Sequence, residues 1–136
     1  MSVRTWKEEF FTGIVKASKT PLAAAEHSLR KWKGLDPEQL KKHKLVKVAD
    51  EHYINSTKTC NGFDVGCNEC ALCRYSNAVA GYHSCDDCPL AEASGGVTCM
   101  DNASPYRVWL DTGDVKPMVE ALKRTVEWLK KERKCS

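Results

Sequence analysis

The chain of 136 residues is long enough for one domain with a real core and too short for two independent ones. Its hydrophobic share of 42% and charged share of 29% are those of an ordinary soluble protein, and no apolar run nears the ~20 residues that span a bilayer, so no membrane-spanning helix and no membrane partner is expected. The net charge of +3 divides unevenly: residues 1–50 carry eleven Lys/Arg against six Asp/Glu, residues 51–114 three against nine, and residues 115–136 seven against three, so the acidic centre is a poor grip for phosphates.

The first elements are helical. Trp6, Phe10 and Ile14 share one stripe of a helix expected over Thr5–Lys16. The only apolar stretch in Met1–Lys19 contains Glu8 and Glu9, so no signal-peptide core is expected and the chain is placed in a reducing cytoplasm. Ser18 or Thr20 can cap a second helix whose first residue is Pro21 and whose face is Leu22, Ala25, Leu29 and Trp32, with Gly34 as its stop. Asp36 caps a short third helix, and Gln39 is spaced to complete a capping box. Leu45–Val48 reads as a strand with His52-Tyr53-Ile54 as its hairpin partner.

Beyond the cysteines, Ser104-Pro105 is a cap followed by a first helical residue. A long last helix starts near Asp114, tolerates Pro117 in its first turn, and shows the apolar face Val115, Met118, Val119, Leu122, Val126 and Leu129. The expected fold is mainly α-helical with a small β element (α+β). It is expected as a single zinc-stabilised domain over 1–136, with basic N-terminal helices in 1–50, a cysteine module in 55–104 and a C-terminal helix over 114–134.

Seven of the eight cysteines lie between Cys60 and Cys99. In a reducing compartment, thiols grouped in pairs point to metal rather than to disulfides. Two C-x2-C pairs, Cys70/Cys73 and Cys85/Cys88, can converge on one ion at about 2.3 Å and complete a tetrahedron. They are the preferred ligands for one structural zinc. Cys99 could replace Cys85, Cys67 could replace Cys73, and Cys60 has no assigned role. Two metals are an alternative, with His83 or His52 as an eighth ligand. An iron–sulfur cluster is another, resting on Cys67-x2-Cys70-x2-Cys73 and on Cys88-Pro89. Residues 55–104 hold few large apolar side chains, so metal is expected to stand in for a core there.

No catalytic pattern emerges. His27, His43, His52 and His83 are scattered, without H-x-E or H-E-x-x-H spacing, so the chain is not expected to be an enzyme. Arg30, Lys31, Lys33, Lys41, Lys42, His43, Lys44 and Lys47 form a dense basic stretch, which makes nucleic acid an alternative partner, above all through Arg30, Lys31, Lys33, Lys41, Lys42 and Lys44.

The string Cys70-Ala71-Leu72-Cys73, then Cys85-Asp86-Asp87-Cys88-Pro89-Leu90, Cys99 and Ser104-Pro105-Tyr106, resembles a family of small cysteine-rich proteins encoded by bacteriophages and prophages. The helix around Glu26–Trp32 adds to the resemblance, which covers roughly residues 21–130. It implies a phage origin and a metal site, and with no signal-peptide core the expected place of action is the host cytoplasm. With no catalytic motif, the expected partner is a host protein of defence or regulation.

Overall fold

The computed structural model describes residues 3–49, 52–55, 58–64, 70–80, 88–95, 99, 101 and 104–135. Among them the chain is mainly helical, as the sequence leads one to expect.

The first expected helix is two helices, α1 (Val3–Phe10) and α2 (Ile14–Ala17), because Gly13 between them adopts a left-handed φ of 85°. The break turns carbonyls at the end of α1 toward α3 (Pro21–Lys33). His27 Nε2 donates to the Phe11 carbonyl at 2.6 Å and Arg30 donates to that of Thr12 at 2.5 Å, so two orphan helix-end acceptors find partners. Of the two candidate caps for α3, Thr20 is the one used. Its hydroxyl accepts the Ala23 N–H, and Pro21 takes the first helical position.

Gly34 ends α3, but not through glycine's access to left-handed backbone: its φ is −70°. A Cβ there would lie 2.4 Å from Phe10 Cγ, and the Gly34 carbonyl accepts the Trp6 indole N–H at 2.7 Å. Close approach of α1 sets this residue.

Asp36 caps α4 (Pro37–Lys42) by accepting the Glu38 N–H at 3.0 Å. The expected capping box does not form. Asp36's own N–H is already given to the Lys33 carbonyl at 3.3 Å, and Gln39 Oε1 is buried with no partner among the described residues.

An antiparallel sheet of order β1-β2-β3 follows: β1 (Leu45–Ala49), β2 (His52–Asn55) and β3 (Lys58–Asp64). Lys47 pairs with Tyr53, and Tyr53 pairs with Phe63. The β1–β2 hairpin is the expected one, whereas β3 is an addition, and it carries Cys60. Next come α5 (Ala71–Ala80), α6 (Pro89–Ala93), α7 (Pro105–Thr112) and α8 (Lys116–Cys135). Ser104 caps α7 by accepting the Arg107 N–H at 3.2 Å.

Helix α3 is the hub, packed against α8 and α5 and touched by α1, α2 and α6. Trp32 of α3 meets Trp109 of α7 edge to face, with centroids 4.8 Å apart, and Tyr53 of β2 stacks on Trp109 with centroids 6.5 Å apart. The cysteine region is less dependent on a substitute core than its composition implies. Ala71, Leu72, Leu90 and Ala91 are buried in the same cluster as Trp6, Trp32 and Leu122. No helix among the described residues is long and apolar enough to cross a membrane.

Candidate metal centre

Cys70 and Cys73 owe their proximity to the start of α5. The Cys70 carbonyl accepts the Arg74 N–H at 3.0 Å, which makes Cys70 the cap residue and puts Cys73 in the first turn. A thiol at that position faces the N–H groups and positive pole of the helix, where thiolate is favoured.

The Cys70 thiol is held well below the ordinary thiol range. The largest cause is a hydrogen bond from the Cys73 thiol. Burial opposes it, and the Lys31 ammonium, the Cys73 backbone N–H and the Ser28 hydroxyl each add to the lowering. Ser28 Oγ lies 3.7 Å from Cys70 Sγ. Ser28 and Lys31 both belong to α3 and are 0% and 1% exposed. Two thiols one turn apart, one biased toward thiolate and compensated by a buried cation, suit a soft-ligand divalent ion. That is half of a tetrahedral donor set.

The other predicted ligands are placed as follows. Cys88 is buried and caps α6, its carbonyl accepting the Glu92 N–H at 3.1 Å, with Pro89 as the first helical residue. Cys99 is half-buried against the core, and its carbonyl accepts the Ser104 hydroxyl at 3.0 Å, which ties it to the cap of α7. Cys70, Cys73, Cys88 and Cys99 are thiols rather than disulfides. The structure brings Cys70 and Cys73 together. It does not gather them with Cys88 and Cys99, since the described residues hold no group of three or more His, Cys, Asp or Glu placed to bind a metal. Cys85, Cys67 and His83 lie outside the described residues.

Two of the scattered histidines have structural work. His43 is 1% exposed, with Nε2 2.9 Å from a Glu9 carboxylate oxygen and Nδ1 3.0 Å from the Thr5 hydroxyl. His27 is buried and held below the ordinary imidazole range, chiefly by burial.

The basic stretch is not one face. Lys31 is buried beside Cys70 and lies 5.3 Å from the Trp32 ring centroid, and Lys47 lies 4.2 Å from that of Trp109. Arg30 is committed to the Thr12 carbonyl, and Lys42 lies 4.0 Å from Glu9. Lys33, Lys41 and Lys44 remain exposed.

No protein-family model, curated protein or solved structure matches the chain.

Proposed function

We propose that this chain is a non-catalytic zinc-binding protein, phage-encoded and acting in the host cytoplasm, whose metal-stapled scaffold binds a host protein of defence or regulation. The observation that carries the metal reading is the Cys70–Cys73 pair at the start of α5, with Ser28 and Lys31 of α3 against Cys70. Cys88, Cys85 and Cys99 are the candidates to complete the set. Zinc, when bound, supplies a fixed cross-link of this region and no reactive step. The residues themselves hold the thiolates, bury them, and offset their charge through Lys31.

Protein is favoured over nucleic acid as the partner because Lys31, Arg30 and Lys47 of the basic stretch are engaged within the fold. A nucleic-acid partner would have to rely on Lys33, Lys41, Lys42 and Lys44.

Metal analysis of protein purified without added metal tests the reading. One zinc per chain, with a thiolate-to-metal charge-transfer band on cobalt substitution that weakens in Cys70→Ser and Cys73→Ser, is the expected result. Iron with sulfide in a brown protein would replace zinc by a cluster, and a metal-free folded protein would remove the scaffold reading.

A further inference from the structure

Helix α2 is wrapped by three adjoining grooves of about 650, 680 and 410 Å³. The first two share Gly13 and Lys16, and the last two share Val15 and Lys19. Their walls carry the cations Lys16, Lys19 and, from α5, Arg74, together with Arg30, whose guanidinium is already bonded to the Thr12 carbonyl, against one carboxylate, Glu26, among the described residues. Val15 stands in the middle at 66% exposure, the most exposed large hydrophobic side chain among the described residues, and the groove beside it is floored by Tyr75 and Ala78.

We propose that this face docks an acidic amphipathic helix of a partner protein. The proposal rests on the protein-binding reading above and names the surface and the partner chemistry. An apolar seam bordered by cations is matched by a helix that offers aliphatic anchors along one stripe and carboxylates on either side. The charge imbalance steers such a helix in, and desolvation of Val15 against an anchor holds it. A nucleic-acid strand fits less well. Lys16, Lys19 and Arg74 could meet phosphates, but Val15 would be buried against them, and the Tyr75 side chain is half-buried.

The test is a titration of the full ¹⁵N-labelled chain, as purified, with a synthetic helix bearing Leu on one face and Glu on the other, and separately with oligothymidylate. Expected are amide shifts over Ile14–Lys19 and Arg74–Ala78 with the peptide. Val15→Asp and Lys19→Glu each weaken binding about tenfold or more. Both side chains are exposed, so the variants keep the wild-type circular dichroism and melting temperature. Between α3 and α8 lies a further groove lined by Leu29, Lys33, Val126 and Lys130, and peptide shifts confined to it overturn the face but leave a protein-binding chain. Oligothymidylate binding at α2 with the peptide silent overturns both. No shift with either probe overturns the docking proposal, while zinc stoichiometry separately decides the scaffold on which it rests.

Discussion

The Cys70 thiol, lowered first by its hydrogen bond from Cys73, is lowered again by the ammonium of Lys31, a side chain only 1% exposed. Each group explains the other. A buried ammonium costs several kcal/mol of lost hydration unless an anion offsets it, and a buried thiolate has the mirror-image cost. A four-thiolate zinc site is dianionic, so one internal cation lowers the penalty of enclosing it.

Lys31→Met keeps the length and apolar stem of the side chain and removes the charge. Zinc affinity is expected to fall about 10–100-fold in competition with a chromophoric chelator, the range typical of groups that support metal ligands. Lys31→Arg should retain most of the affinity, since the cation survives. An affinity untouched by Lys31→Met would mean that the ammonium does not support the thiolates.

Chelation should separate the two parts of the core. Structural zinc sites bind with roughly 10–16 kcal/mol in small peptides, against about 5–15 kcal/mol for the whole stability of a domain. Removing metal is expected to open α5 and α6 to hydrogen exchange first, because they adjoin the thiolates. Protection at Trp32, Leu122 and Val126 should persist longer, since these sit in the α3–α8 contact. Simultaneous loss everywhere would mean that the zinc holds the entire fold.

Much of this arrangement was legible in local sequence. Thr20-Pro21, Asp36-Pro37 and Ser104-Pro105 each mark a helix start by side-chain chemistry that acts within four residues, and each start is where expected. The C-x2-C spacing likewise locates the Cys70–Cys73 pair. Strand β3 was not legible, because Lys58-Thr59-Cys60-Asn61-Gly62 has neither alternation nor β-branched weight and is recruited by pairing with β2. On composition alone Lys31 belongs to a phosphate-gripping stretch. A signal against that was present: Ala24, Ser28 and Lys31 recur at helical spacing, and all three are buried. What no local signal could give is that this stripe meets residue 70.

Gly34→Ala tests the tertiary reason for that glycine. An added methyl would lie 2.4–2.8 Å from three atoms of Phe10, so α1 must shift, and the Trp6 indole bond to the Gly34 carbonyl with it. Strain of this kind costs about 1–3 kcal/mol. Were glycine needed only to end α3, alanine at φ −70° would be neutral or slightly stabilising. Thermal melts should therefore show a clear loss, and the loss caused by Gly34→Ala should be smaller in a Phe10→Ala background, because alanine lacks the Cγ and Cδ2 that the methyl meets.

His27 gives the fold an acid-sensitive group whose sign can be worked out. Burial is the largest cause of its depressed pKa. Arg30 and Lys31 add to the depression, while Cys70 and the bond to the Phe11 carbonyl oppose it. Between that lowered native value and the ordinary 6.5, the unfolded chain takes up a proton that the native chain does not. Stability is therefore complete above this window and falls as the pH drops through it. His27→Gln does not titrate, and its amide N–H can still donate to the Phe11 carbonyl. Urea melts between about pH 5 and 7 should show a shallower loss of stability toward acid for His27→Gln than for the parent chain. The difference between the two curves isolates His27, because the other histidines and the thiols are common to both proteins. Parallel curves would show that His27 takes up its proton in the native chain at the same pH as in the unfolded one, against a lowered pKa.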